Sequence, residues 1–334
     1  MDGQSLSKQN YNSIDLFKLF FAFAVVSIHT RPLVYCSVDW ITRLNEIIVT
    51  LAVPFFYIVS GFLLGKKISS GNEYNSEPIK KLLFRFLKLY CAWTFVYLPL
   101  SIIHYFREGT SLLSAIKLFI VGFVFVGEQY NAWILWYLLS AVYALIVIII
   151  INRTRITHKK LCVTTLIALV LSTMLAYLSA YDGDLNGFLE VAKRLDIVVF
   201  SKGRILRGLI YLPLGIIFSY HHLSKKLGIT LFLICTGIRL LVYSEIIETF
   251  LILCSAAGLF TMVKSISLKD NQIYRCFRSM SSSIYYIHLY VWTLAYMILY
   301  GSKTYGFKIF MITAVTSGTI AFLYWCFSKQ KHFA

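Results

Sequence analysis

Charged residues are scarce in this sequence, and acidic residues are the scarcest. Only 14% of the 334 residues are charged, with 15 aspartates and glutamates against 32 lysines and arginines, whereas ordinary soluble chains carry about 25%. Hydrophobic residues make up 58% of the sequence, and its mean hydropathy is +0.72. Together with the low charged content, these values exclude a soluble globular domain. Several apolar runs reach the roughly 20 residues that cross a bilayer. The sequence therefore predicts an all-α, polytopic transmembrane bundle with the lipid bilayer as its solvent.

The sequence also lacks metal-binding cysteine motifs and a recognisable leader. Its seven cysteines are scattered without a CxxC or other ligand spacing, so they predict no metal site. No small-residue cleavage site follows the first apolar run, which is as long as a full span, so we expect no cleavable signal peptide. There is no internal repeat or low-complexity tract. One transmembrane domain over residues 1–334 is the simplest interpretation.

We predict ten helical spans from the apolar runs. Their approximate ranges are 14–34, 45–65, 84–105, 133–151, 161–180, 204–220, 227–243, 246–264, 281–300 and 306–327. A further apolar stretch at 112–126 is shorter and contains Lys117 and Gly122. We expect an interfacial or re-entrant segment there rather than a full crossing.

Positive charge falls in alternate connections between the predicted spans. With a cytoplasmic N-terminus, the basic clusters of the inner connections are 66–88, 153–160, 225–226, 264–278 and 329–331. The outer connections are balanced or acidic, which is the distribution of the positive-inside rule. Counting 112–126 as a crossing would put the 153–160 cluster outside. We therefore predict that both termini are cytoplasmic, and the net charge of +17 calls for no nucleic-acid partner.

Ionisable groups inside spans are costly and mark functional sites by default. The first span contains Lys18 and His29. Eleven helical residues turn about 20° beyond three full turns, so both side chains share a face, about 16 Å apart along the axis. Imidazole suits general-base chemistry near neutral pH. A snorkelling lysine and a hydrogen-bonded structural histidine are the alternative, and spacing alone leaves both open.

Two further polar stripes lie on predicted helices. Ser281, Tyr285 and His288 stand at i, i+4 and i+7 in the ninth span, as a reactive stripe or a structural network. The third span begins with a cytoplasmic basic stripe, which either meets lipid headgroups or docks the phosphates of a polyanionic cofactor. Its residues are Lys80, Lys81, Arg85 and Lys88.

Several other residues carry open alternatives. Ser60 and Gly61 in the second span favour close helix packing. Trp133 and Trp136 stand where an interfacial aromatic belt is expected. The arginines of the sixth and seventh spans either neutralise acidic residues or bind an anionic substrate; they are Arg204, Arg207 and Arg239.

In their order and spacing these elements resemble the acyltransferase-3 family of integral membrane acyltransferases, over most of the chain. A basic residue followed after ten positions by histidine is present as Lys18 and His29, although arginine is commoner at the first position. The FFxxSGF element is Phe55, Phe56, Ser60, Gly61 and Phe62. The W-x-L-x-x-L element is Trp133, Leu135 and Leu138, and the S-x-x-I-Y-x-x-H element is Ser281, Ile284, Tyr285 and His288.

The resemblance implies transfer of an acyl group, usually acetyl, from cytoplasmic acyl-CoA to a hydroxyl of an extracytoplasmic glycan or small-molecule acceptor, in a bacterial cell membrane. It implies no metal. The implied catalytic residues are His29, Lys18, His288 and Tyr285, with Tyr285 and His288 polarising the thioester carbonyl. The implied CoA-binding residues are Lys80, Lys81, Arg85, Lys88 and Ser60. From their outer position we predict Trp133, Trp136, Arg204 and Arg207 as acceptor-binding residues.

The same family fold forms the membrane half of vancomycin-resistance membrane serine racemases, where its role is linked to supplying L-serine. The chain fits that half by length, and a soluble domain could follow its basic tail. Uptake of L-serine is therefore the main alternative function. A purely structural scaffold is disfavoured by the aligned Lys18–His29 and Ser281–His288 stripes. Whether the chain forms a homo-oligomer is left open.

Overall fold

Helices make up nearly all of the chain that the computed structural model describes, which is residues 10–69, 76–181, 183, 186–197 and 203–330. The helices are α1 (Asn12–Thr30), α2 (Asp39–Thr50), α3 (Ala52–Ser69), α4 (Glu77–Arg107), α5 (Leu112–Val121), α6 (Trp136–Asn152), α7 (His158–Ala180), α8 (Gly187–Leu195), α9 (Arg207–Tyr220), α10 (Lys225–Leu241), α11 (Glu245–Lys264), α12 (Gln272–Leu299) and α13 (Phe307–Gln330). A π-helical turn, Gly122–Val126, follows α5, and short 3₁₀ turns, Trp133–Leu135 and Arg204–Leu206, precede α6 and α9.

Seven helical segments of the described residues are long and apolar enough to span a membrane. They are Asn12–Thr30, Asp39–Ile68, Glu77–Arg107, Trp133–Asn152, His158–Ala180, Ile247–Lys264 and Phe307–Lys329. The other three predicted spans coincide with α9, α10 and α12. Of these, α9 and α10 have only 14 and 17 residues, while α12 has 28 residues and a polar N-terminal half. The polytopic helical class is confirmed.

The number of spans and the cytoplasmic termini stay predictions, and residues 1–9 and 331–334 lie outside the described residues. The predicted second span is two helices, since α2 ends before Leu51 and α3 continues the same apolar segment. The short stretch at 112–126 is a short apolar helix, as its length suggested. One domain over the whole chain also stays a prediction.

Helices α3 and α9 pack against each other over an extensive contact. A Cβ added at Gly61 would lie 2.0 Å from the carbonyl oxygen of Leu212, and one added at Gly215 would lie 2.2 Å from that of Ile58. Glycines on both sides therefore let the two backbones touch, which is how helices associate where lipid supplies no hydrophobic drive. The packing role expected for Gly61 is confirmed.

Helix α1 is held against α12 and the connection that follows it. Near one end, the guanidinium of Arg278 donates to the Asp15 carboxylate at 3.0 and 2.6 Å. At the other end, the backbone N–H of Gly306 donates to the carbonyl of Thr30 at 2.9 Å. These two contacts fix the register between α1 and α12, the helices that carry Lys18, His29, Tyr285 and His288.

Arg239 is fully buried and belongs to an ion cluster between α2, α10 and α11. It donates to the Glu248 carboxylate at 3.0 and 2.8 Å and to the Thr50 hydroxyl at 2.6 Å. Arg43 donates to the other Glu248 oxygen at 3.2 Å. Of the two roles expected for Arg239, neutralisation is the one present, and the acid comes from the neighbouring helix rather than from an outer loop.

The α3–α9 contact predicts a sharp difference between two glycines. Gly61→Ala places a methyl group inside the van der Waals radius of a backbone oxygen, so it should destabilise the purified protein by about 1–3 kcal/mol or more. Gly237→Ala in α10, where a Cβ meets nothing within 4 Å, should leave stability unchanged. Thermal melting in detergent, followed by size-exclusion chromatography, measures both. Equal melting temperatures would contradict the close contact.

Candidate active site

A cavity of about 660 Å³ lies between α1, α3, α4, α6 and α12. We call it the basic cavity, because four cations line it against one acid: Lys18, Lys67, Lys81, Arg85 and Glu77. Ser60, Ser281 and Tyr285 also line it. Its volume is in the range of pockets that hold a cofactor or a drug-sized ligand. Five predicted site residues from four helices are thus brought together: Lys18, Ser60, Lys81, Arg85 and Tyr285.

Two members of the predicted CoA-binding stripe stand apart from this cavity. Lys80 is exposed and pairs with Glu77 of its own helix at 3.4 Å. Lys88 is exposed and is not among the lining residues. The stripe on α4 therefore divides into Lys81 and Arg85, which face the cavity, and two lysines that do not.

His29 and His288 form a pair at the far end of α1 from Lys18. Their ring centroids are 5.4 Å apart, and Trp133 stacks on His29 at 6.1 Å. Spacing placed each histidine on a polar face of its own helix, and the structure shows that these two faces meet. Lys18 faces the basic cavity on the same side of α1, so the cation and the imidazole lie along one α1–α12 seam.

The tautomer of His288 follows from its neighbours. Nδ1 lies 3.0 Å from the carbonyl oxygen of Ile284 and 2.8 Å from that of Tyr285. Because carbonyl oxygens only accept hydrogen bonds, Nδ1 must carry the proton, and Nε2 of the neutral ring then has a free lone pair. His288 is fully buried, and its Nε2 has no hydrogen-bond partner among the described residues. A buried acceptor without a partner can accept a hydrogen bond from a neighbouring ring or from a ligand.

Tyr285 connects the basic cavity to the histidine pair. It lines the cavity, and its ring centroid is 6.3 Å from that of His288. Its hydroxyl donates to the carbonyl of Ile134 at 3.0 Å. That proton is therefore already engaged, and polarisation of a thioester by Tyr285 would require this bond to break. The role assigned to Tyr285 from the resemblance stays a prediction.

The four predicted acceptor residues separate into two groups. Trp133 lies against His29, as described. Arg204 forms an ion pair with Glu128, and Arg207 stands over the ring of Trp136 at 5.6 Å. Burial raises the pKa of the Glu128 carboxyl, and Arg204 opposes this rise by favouring the charged form. Arg204 is thus neutralised by an acid, which is one of the two roles expected for it.

Lys303, which sequence reasoning missed, lies beside Trp133. Its Nζ is 4.4 Å from the ring centroid of Trp133, 5.4 Å from that of Trp292 and 5.7 Å from that of Tyr305. It lies in the short connection between α12 and α13, which the ten-span interpretation places outside. A lysine there runs against the positive-inside rule, and this was the signal that could have identified it.

A basic cavity joined by a tyrosine to a histidine pair, within a bundle of apolar helices, defines the candidate site of a multi-pass membrane protein. Comparison with known families agrees with this class. A family model described as an acyltransferase domain matches residues 11–329, and the chain belongs to this family, the acyltransferase-3 family that the sequence resembles. Membership supports membrane acyltransferase activity.

Curated relatives carry a different name. An "Amino-acid racemase" of Enterococcus faecalis is 30% identical over 230 residues, covering 66% of this chain and 30% of that protein. A "Serine/alanine racemase" of Enterococcus gallinarum is 33% identical over 93 residues, covering 27% of this chain and 13% of that protein. The chain thus spans less than a third of the length of these relatives, whose names agree with the relationship to membrane racemases. No solved structure matches.

The two ends of the seam should be reached from opposite sides of the membrane. In a background in which the seven native cysteines are replaced, Lys303→Cys should react with an impermeant maleimide in intact cells. Lys81→Cys should react only in inverted vesicles or after permeabilisation, because the positive-inside rule places α4's basic start in the cytoplasm. Labelling of both cysteines from one side would contradict this orientation.

Proposed function

We propose that this protein transfers an acyl group, usually acetyl, from acyl-CoA to a hydroxyl of an extracytoplasmic glycan or small-molecule acceptor in a bacterial cell membrane. The observation that carries the proposal is that the basic cavity and the histidine pair lie along the same contact between α1 and α12. Tyr285 belongs both to the wall of the basic cavity and to the surroundings of His288, so a donor in the cavity and an acceptor at the histidine pair can meet.

The basic cavity suits a polyanionic donor. Phosphates favour lysine and arginine, with arginine able to bind in a bidentate manner. Lys18, Lys81 and Arg85 come from two helices that both line the cavity, and together they would hold the phosphates of CoA. The thioester arm would then run along α1 towards His29, over the roughly 16 Å that eleven helical residues span.

The histidine pair supplies the base. His29 accepts the proton of the acceptor hydroxyl while the hydroxyl oxygen forms a bond to the thioester carbonyl carbon. The C–S bond then breaks, the acyl group stays on the acceptor oxygen, and the CoA thiolate leaves and takes up the proton from the imidazolium. His288, with its unprotonated Nε2, accepts from the N–H of His29 and so keeps the other nitrogen of His29 free for the acceptor.

Removing either imidazole should abolish most acyl transfer. His29→Ala and His288→Ala should each lower the rate about 10²–10⁴-fold, the usual contribution of a general base. The measurement is transfer from labelled acetyl-CoA in proteoliposomes, and O-acetylation of surface glycans in cells. His104→Ala is the matched control, since His104 stacks on Tyr130 and takes no part in the site.

Normal acetylation by His29→Ala at normal protein level would remove His29 from the mechanism. The His288 role has its own check. His288→Asn, which keeps a donor for the backbone carbonyls but offers no basic nitrogen, should be as inactive as His288→Ala. A substantially active His288→Asn would show that His288 only supports the helix packing.

The division of the basic stripe predicts a difference in donor binding. Lys81→Gln and Arg85→Gln should each raise the KM for acetyl-CoA about tenfold or more, because a charge-assisted bond contributes about 1.5–3 kcal/mol. Lys80→Gln and Lys88→Gln are matched controls on the same helix, and their KM should stay within about twofold. Equal effects of all four substitutions would indicate a general surface attraction and contradict donor binding in the cavity.

Uptake of L-serine is the second candidate, and the names of the relatives favour it. The basic cavity argues against it as the main function, since serine is a zwitterion and gains little from four cations and one acid. Proteoliposomes separate the two functions. Accumulation of labelled L-serine without acetyl-CoA would support transport, whereas consumption of acetyl-CoA only when an acceptor sugar is present supports transfer.

A further inference from the structure

The cations around His29 point to a property of the acceptor. Three cations lie near His29: Lys303, Arg204 and Arg31. Arg204 is neutralised by Glu128. Lys303 and Arg31 form no ion pair among the described residues. Lys303 lies over the ring of Trp133, and the guanidinium of Arg31 is 5.1 Å from the ring centroid of Tyr305.

The backbone segments that carry these two cations are held in place. The connection that carries Lys303 is fixed to α12 by the indole N–H of Trp292, which donates to the carbonyl of Thr304 at 3.1 Å. The next residues are fixed to α1 by the Gly306–Thr30 bond. A lysine over three rings is attracted to their faces, and the ammonium keeps its hydrogen-bond donors for a ligand. This arrangement is a prepared anion site beside the histidine pair.

The chemistry of the base demands a compensating charge. When half-buried His29 takes a proton, a third positive charge forms near Lys303 and Arg31, and repulsion between like charges costs free energy. A negative group on the acceptor would offset that repulsion at the moment of transfer. At the same place, the buried Nε2 of His288 has no hydrogen-bond partner among the described residues, so it is open to the N–H of His29 or to a ligand hydroxyl.

We infer that the acceptor is anionic, a glycan or small hydroxyl compound carrying a carboxylate or phosphate that binds Lys303 and Arg31 while its hydroxyl faces His29. This deepens the proposed function and rests on it. The half-buried rings of Trp133 and Tyr305 give the sugar or carbon skeleton an apolar surface to stack on, and the two cations select its charge.

Matched acceptors test the inference directly. With labelled acetyl-CoA and purified protein in proteoliposomes, glucuronate or glucose 6-phosphate should be acetylated at least about tenfold faster than glucose, at equal subsaturating concentration. Lys303→Gln should bring this ratio close to one, and Lys303→Arg should keep it. Lys308→Gln, at an exposed lysine of α13, is the control that should leave the ratio unchanged. Whichever of glucuronate and glucose 6-phosphate is acetylated faster identifies carboxylate or phosphate as the recognised group.

A binding measurement keeps this test separate from the proposed function. Glucuronate or glucose 6-phosphate should raise the melting temperature of the wild-type protein but not of Lys303→Gln, while glucose should raise neither, because a ligand stabilises the state that it binds. Transfer to glucose as fast as to the anions, with no selective thermal shift, would overturn the anionic acceptor and leave acyl transfer standing. A selective shift without any acetyl transfer would retain the anion site and overturn the proposed function.

Discussion

The contact between α1 and α12 is the constraint on which the site depends. Hydrocarbon offers no hydrogen bonds, so polar groups within spans must collect between helices. Helix α1 contributes Lys18 and His29, and α12 contributes Tyr285 and His288. The Asp15–Arg278 ion pair near one end and the Gly306–Thr30 bond at the other keep these groups in register. Without both anchors, a shift of one residue would rotate each face by about 100° and separate the two imidazoles.

Hydrogen bonding separates Arg239 from His288, two fully buried polar side chains of this bundle. Arg239 is as buried as His288, yet its guanidinium is occupied by Glu248, Thr50 and the carbonyl of Ile47. Such a cluster ties helices together and leaves nothing for a substrate. His288 has one nitrogen fixed by the backbone and one without a partner. Because an unsatisfied buried acceptor is costly, its persistence is more readily explained by chemistry than by packing.

Helical periodicity explains how much of this could be predicted from the sequence. The spacing of Lys18 and His29, and of Tyr285 and His288, is a local property, so each pair could be placed on a shared face. The contact between the two faces joins residues that are far apart in the chain, and helical periodicity does not predict such contacts. For the same reason Lys80 and Lys88 could not be separated from Lys81 and Arg85 by sequence alone.

Long-range partners account for the other differences. Arg204 forms an ion pair with Glu128, and Arg207 stands over the ring of Trp136. Both partners are too far away in the sequence for a local pattern to predict them. Lys303 escaped notice because a single lysine in a short connection has no motif. The helical class, by contrast, follows from composition: apolar runs of span length in a chain with few charges can be satisfied only by helices that bond their own backbone.

The distribution of charge along the seam also bears on the choice between transfer and transport. A transported zwitterion must be tolerated at every position on its path, and its ammonium would meet Lys303 and Arg31 beside His29 and the four cations of the basic cavity. Two separate anionic partners, each approaching from its own end, meet no such repulsion. Their reacting atoms, a thioester carbon and a hydroxyl, are uncharged and fit the apolar and aromatic section between the two basic regions. A bundle with positive charge at both ends of the seam and an imidazole pair between them is therefore better suited to joining two anions than to passing one zwitterion.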